Sequence, residues 1–210
     1  MRSEKIIITI IALTAWVALS LQLYILIDNT PGNGLTPLGA VGRFLHFFTI
    51  LSNLLVAVSL SVLLVAPATS AGRFFAKPSS SAAIALYIFI VGLVYNTMLR
   101  SLWQPHGLQK TADELLHIAV PLLYLSYWLI FSVKRPLQWT HAVKWLVFPA
   151  VYLVYVMIRG AIEGFYPYPF IDVDRFGYGR VALNSAGLLA VFIAAGLLFV
   201  YVGKTMSRRD

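Results

Sequence analysis

Apolar residues fill six stretches of this chain, near 5–27, 43–66, 81–103, 112–133, 141–160 and 181–203, and polar residues interrupt them sparingly. About 20 apolar residues in an α-helix cover the roughly 30 Å hydrocarbon core of a bilayer. Peptide groups in hydrocarbon must be satisfied within their own segment, so uninterrupted runs of this length predict helices rather than barrel strands. The pattern therefore predicts an all-α integral membrane protein, a single membrane domain over residues 1–210 built as a six-helix bundle. Asn29-Thr-Pro-Gly-Asn-Gly34, Pro67 with Lys77-Pro78, and Lys134-Arg-Pro136 read as simple connections between spans.

Composition agrees: 60% of the 210 residues are hydrophobic and only 11% charged, with a mean hydropathy of +0.81, far from a soluble domain. In a soluble chain the net charge of +8 would point to nucleic acid. Here its distribution is topological. With the N-terminus in the cytoplasm, the inner segments hold Arg2, Lys5, Arg73, Lys77, Lys134, Arg135, Lys144, Lys204, Arg208 and Arg209 against Glu4 and Asp210, which is ten minus two. The outer ends hold Arg43, Arg100, Lys110, Arg159, Arg175 and Arg180 against Asp28, Asp113, Glu114, Glu163, Asp172 and Asp174, and these cancel. The positive-inside bias predicts both termini in the cytoplasm, as an even number of spans requires, and no nucleic-acid partner.

The first span is too long for a secretory signal core, and Leu26-Ile-Asp-Asn29 is not a small-residue cleavage site. Cysteine is absent, so no disulfide, thiolate nucleophile or Cys-ligated metal is available. Trp103, Trp139, Trp145, Tyr178 and Tyr201 fall near span ends, where amphipathic rings favour the interface. Ala186, Ala190 and Ala194 form a small-residue stripe that predicts close helix packing on span six.

Hydrocarbon penalises polar and ionisable residues, so those inside spans are functional candidates. Thr49 lies six residues after Arg43, and His117 six after Thr111, which places both about 9 Å along spans entering from outside. Asn96 lies four residues before Arg100, Asn184 four after Arg180, and Arg159 near the outer end of span five. Five helices are thus predicted to line one outer-leaflet cavity for a membrane lipid or lipid-like substrate.

Each candidate has an ordinary reading beside the chemical one. The Thr49 hydroxyl either back-bonds to the Leu45 carbonyl or acts as a nucleophile. His117 is a packing residue or a base. Asp113 at i−4 and Glu114 at i−3 share its helical face, where either carboxylate orients the imidazole or simply complements the helix dipole. His46, Thr49 and Asn53, at i, i+3 and i+7, predict one polar face. Arg100 snorkels to headgroups or presents its guanidinium to a carboxylate or phosphate. The stretch Tyr166, Pro167, Tyr168, Pro169, Phe170 and Asp172 is a lid over the cavity or an interfacial anchor, because proline stiffens it and the rings offer apolar area. No metal-ligand spacing occurs within one helix, and neither metal nor cofactor is expected.

Phe48-Thr49, His117 with Pro121, and Tyr168-Pro-Phe-Ile-Asp172 with Gly177 together resemble the androgen-induced gene and androgen-dependent TFPI-regulating protein family and its bacterial six-span relatives. The similarity runs in order over most of the chain, through short motifs. The resemblance implies an intramembrane threonine hydrolase that cleaves fatty acid esters of hydroxy fatty acids or related lipids, with Thr49 as nucleophile and His117 as its partner. It also implies a multi-pass protein of the bacterial cytoplasmic membrane. Two other classes share these polar residues: a non-catalytic lipid-binding sensor, which needs the cavity without the chemistry, and a small-solute transporter, whose polar positions would continue into the cytoplasmic half.

Overall fold

The computed structural model describes residues 2–132 and 137–206. The Lys134-Arg-Pro136 turn, Val133 at the end of the fourth expected span, and the terminal charges Arg208, Arg209 and Asp210 lie outside the described residues. No strand occurs among the described residues. Among the described residues, six helices are long and apolar enough to cross a membrane: Ser3–Asp28, Phe48–Val65, Pro78–Leu99, Gly107–Ile130, Trp139–Glu163 and Val173–Met206. The protein is an all-α, multi-pass integral membrane protein, as the hydropathy pattern predicts. The chain divides into two compact units, Met1–Val133 and Lys134–Asp210.

In the first unit, α1 (Arg2–Asp28) is followed by two short helices, α2 (Thr30–Asn33) and α3 (Pro37–Phe44), then by α4 (Phe48–Val65). A short α5 (Ser70–Phe75) leads into α6 (Pro78–Val94), which runs into a π-helical turn at Tyr95–Leu99. Span four is composite: α7 (Gly107–Glu114), a second π turn at Leu115–Ala119, and α8 (Val120–Ile130). α1 packs chiefly along α4, α4 along α6, and α6 along α8. Ala12, Ala15 and Ala18 are buried on α1, and small side chains at this spacing let helix backbones approach closely where hydrocarbon supplies no hydrophobic drive.

Three sequence expectations are corrected in this unit. The first two connections are structured rather than simple turns. Gly34 ends α2 at a left-handed φ of 65°, Thr36 caps α3 by accepting from Gly39 N at 3.0 Å, and Thr69 caps α5 through Gly72 N at 3.1 Å. Polar caps of this kind satisfy the orphan N–H groups at a helix start. Second, span two does not begin at Arg43: α3 ends at Phe44, and α4 starts only at Phe48. Third, span four starts five residues earlier than hydropathy alone predicts, at Gly107, because Gln109, Lys110 and Thr111 lower the apolar average without interrupting the helix.

The second unit comprises α9 (Trp139–Lys144), α10 (Val147–Glu163), a 3-10 turn at Pro169–Ile171, and α11 (Val173–Met206). α11 is interrupted at Gly177, whose φ of 71° is non-helical and suits glycine, which lacks a Cβ. α9 packs on α11, where the missing Cβ of Gly196 leaves room for Ala142. The small-residue stripe is a further correction: Ala186, Ala190 and Ala194 are exposed, and the buried small residues of α11 are Ser185, Ala195, Gly196 and Gly203. Trp145 is buried and stacks with His141, ring centroids 6.0 Å apart, whereas Trp103, Trp139, Tyr178 and Tyr201 are exposed as interfacial rings should be.

Candidate functional site

Thr49 is the second residue of α4 and only 8% exposed. Its Oγ1 lies 3.4 Å from Nε2 of His117, on the π turn of span four. The two side chains meet, but not through the equal counts along helices that the sequence implied. Thr49 is one residue from its helix start, whereas His117 is ten past Gly107.

The opposite edge of the imidazole faces Asp113. His117 Nδ1 lies 2.9 Å from the Asp113 carbonyl oxygen and 3.4 Å from its carboxylate Oδ1. Both are acceptors, so Nδ1 of the neutral ring carries the proton and Nε2 turns a lone pair toward Thr49. Asp113 is buried, 5% exposed. Glu114, one residue on, turns away and pairs with Arg100. The tertiary structure thus separates two carboxylates that helical spacing left equivalent.

Tyr95 was not among the sequence candidates. It lies buried on the π turn of span three, donates its hydroxyl to Asp113 Oδ2, and stacks on His117 with ring centroids 3.9 Å apart and planes 16° apart. The signal that could have found it is general: a tyrosine inside an apolar span needs a partner for its hydroxyl.

The two π turns face this cluster, and their backbone consequences are specific. Val120 N donates to Leu115 O rather than to Leu116 O, so the turn releases the Leu116 carbonyl. Pro121 has no N–H, so the His117 carbonyl loses its α-helical donor as well. Asparagines take up both oxygens. Asn53 Nδ2 donates to Leu116 O at 3.2 Å and to Thr49 O at 2.8 Å. Asn96 Nδ2 donates to His117 O at 3.4 Å and to Gly92 O at 2.8 Å. Gly92 makes this approach possible, since a Cβ there would sit 3.3 Å from His117 O and 3.4 Å from the Pro121 ring. Single π turns inside α-helices recur at functional sites, and here they aim His117 while asparagines satisfy the backbone.

The remaining candidates divide by unit. Arg100 donates to Asn96 Oδ1 at 2.8 Å and to Glu114, with its side chain 44% exposed. His46 is fully buried, in the bend between α3 and α4, and its backbone N donates to Arg43 O at 3.1 Å. The expected single helical face of His46, Thr49 and Asn53 is therefore corrected: Thr49 and Asn53 share α4, and His46 precedes it. Arg159 and Asn184 belong to the second unit. Arg159 pairs with Glu163 and donates to Tyr155 Oη at 2.9 Å, and Asn184 Nδ2 donates to Phe170 O at 2.9 Å.

The Tyr-Pro segment is an ordered loop of that unit. Tyr168 and Phe170 stack with planes 2° apart, Pro169 opens the 3-10 turn, and Asp172 caps α11 by accepting from Arg175 N at 3.1 Å. Pro167 leads into this turn, and the Tyr166 ring occupies the space a side chain at Gly160 would fill. Burial and the nearby Asp174 push the Tyr166 phenol above its ordinary range. Among the described residues, no three His, Asp or Glu side chains converge as a metal site would require. Comparison with protein-family models, curated proteins and solved structures returned no match, so the cluster around His117 is read from its own geometry.

Proposed function

We propose that this protein is an intramembrane hydrolase of lipid esters, with Thr49 as nucleophile, His117 as general base and Asp113 as the carboxylate that orients it. The observation that carries the reading is the largely buried array of Thr49 Oγ1, His117 Nε2, His117 Nδ1 and Asp113. A threonine hydroxyl is a poor nucleophile at neutral pH and needs an adjacent base held by a third group. The 3.4 Å contact is long for a hydrogen bond, and such contacts commonly tighten only with substrate bound.

In the proposed reaction Thr49 Oγ1 attacks the ester carbonyl and its proton passes to His117 Nε2. Collapse of the tetrahedral intermediate expels the alcohol, which takes that proton from His117. Water, deprotonated by His117, then attacks the acyl-threonine, releasing the acid and restoring Thr49. The oxyanion develops beside the first turn of α4, which has no side-chain cap at Phe47. The positive end of that helix dipole favours it there. Arg100 retains donors beyond those given to Asn96 and Glu114 and suits a carboxylate or phosphate on the same amphiphile. Asn96 has its amide on two carbonyls and serves the backbone instead.

The resemblance to the androgen-induced gene and androgen-dependent TFPI-regulating protein family makes fatty acid esters of hydroxy fatty acids the first substrates to try. Purified full-length protein is expected to hydrolyse members of a lipid-ester panel above an empty-membrane background; no cleavage of any ester would sink the reading. The transporter alternative gains little from the inner half, where Ser59 donates to Val56 O at 3.1 Å and Ser61 accepts from Trp16 Nε1 at 3.0 Å.

We further propose a bacterial cytoplasmic-membrane location with both termini inside, which puts the Thr49 site in the outer leaflet. The absence of cysteine makes this directly testable. An impermeant maleimide on intact cells should label Gln104→Cys and not Ala68→Cys. The reverse pattern would invert the orientation and move the site to the inner leaflet.

A further inference from the structure

The Nδ1 edge of His117 has two acceptors with different duties. The Asp113 carbonyl, at 2.9 Å, is part of the helix backbone and fixes the tautomer by itself. The carboxylate, at 3.4 Å, supplies the negative charge that an imidazolium requires. A carboxylate on a rotatable side chain meets that need only if something holds it. Tyr95 is the group that touches both partners: its hydroxyl is on Asp113 Oδ2, leaving Oδ1 toward Nδ1, and its ring lies against the imidazole face. Tyr95 is itself 5% exposed, and its stacking leaves the imidazole little freedom to rotate.

We propose that Tyr95 is a positioning residue that clamps the Asp113 carboxylate and the His117 ring together, so that the imidazolium formed when Thr49 loses its proton meets a fixed counter-charge. The proposal rests on the hydrolase reading and adds a fourth member to its array. Its physical basis is that preorganised charge in a water-poor site stabilises a transition state more than charge that must reorganise. The π turn at Tyr95–Leu99 acquires a purpose under this proposal: an inserted residue rotates the side chains beyond it relative to the rest of span three, and Tyr95 stands at the start of that turn.

The test uses full-length protein in lipid nanodiscs with Tyr95→Phe, Asp113→Asn and the double variant. Tyr95→Phe keeps the ring and removes only the hydroxyl. It should lower kcat roughly tenfold, the size expected for one hydrogen bond to a charged group, with KM unchanged. The double variant should be no slower than Asp113→Asn alone, because the hydroxyl acts through that carboxylate. The ring-nitrogen NMR signature of His117 should keep its Nδ1–H tautomer in Tyr95→Phe, since the carbonyl remains. Wild-type kcat in Tyr95→Phe, multiplying effects in the double variant, or a changed tautomer would overturn the proposal.

A second readout needs no turnover. The infrared carboxylate band of Asp113, identified by its loss in Asp113→Asn, should shift in Tyr95→Phe, and an unshifted band would overturn the clamp. Turnover without a band shift leaves the hydrolase reading standing and removes Tyr95. A band shift in Tyr95→Phe when the wild type cleaves no ester removes the hydrolase reading, and with it any catalytic use of the clamp.

Discussion

Thr49→Ala and His117→Ala are each expected to lower lipid-ester hydrolysis by about 10²–10⁴-fold, the usual scale for losing a positioned base or the nucleophile it activates. The combined variant should be little worse than either alone, because residues that act as one unit are strongly non-additive. Thr49→Ser keeps the hydroxyl beside His117 Nε2 and should retain measurable activity, separating loss of chemistry from loss of packing. Thr49 is buried and His117 nearly so, so the comparison requires matched thermal unfolding and elution profiles. Equal hydrolysis in wild type and both alanine variants would remove Thr49 and His117 from the mechanism. The alternative of a lipid-binding sensor would then account better for the same residues.

Replacing Asn53 by Leu should destabilise the protein strongly, on the order of 2–4 kcal/mol. Asn53 is fully buried, and its one amide nitrogen serves the carbonyls of both Thr49 and Leu116. Leucine has the same number of side-chain heavy atoms with the same branching, though a larger volume, and leaves both oxygens without that donor in a place water does not reach. Because these carbonyls belong to the nucleophile and to the neighbour of His117, activity should fall along with stability. Asn53→Asp offers a control: it keeps the shape but replaces the donor by an acceptor facing the same carbonyls, and should be at least as damaging. Thermal unfolding of the detergent-solubilised protein checks this. A change in stability below about 0.5 kcal/mol for Asn53→Leu would mean that the π turn of span four satisfies its freed carbonyls in some other way.

These predictions differ in what they owe to the sequence. Thr49, His117 and Asn53 stand out as polar residues in apolar stretches, since hydrocarbon makes each one costly. Asn53, however, reads from its spacing as part of a polar stripe with His46, and its work on the Leu116 carbonyl is not visible there. That carbonyl is released only because span four takes a π turn, and nothing in Leu-Leu-His-Ile-Ala by itself distinguishes a π turn from the α-helix around it. Pro121 is the one local clue: it denies the His117 carbonyl its helical donor, and so calls for a substitute such as Asn96.

The sequence by itself determined the class and the number of spans, because apolar length over 20 residues is a local property that a bilayer reads directly. It also determined that a carboxylate would lie one turn from His117, since i−3 and i−4 spacing is a property of one helix. Only the tertiary structure decided which carboxylate it was, because Asp113 and Glu114 differ in what other elements present to them. Tyr95 from span three meets Asp113, and Arg100 draws Glu114 away. The tertiary structure likewise decided the break before Phe48, which puts Thr49 in the first turn of its helix, although the mainly apolar stretch continues through that break with only His46 interrupting it. Hydropathy averages over side chains and is blind to where the backbone bends. Contacts between residues 18 or 68 positions apart, as for Tyr95 with Asp113 and Thr49 with His117, exist only once the helices have packed.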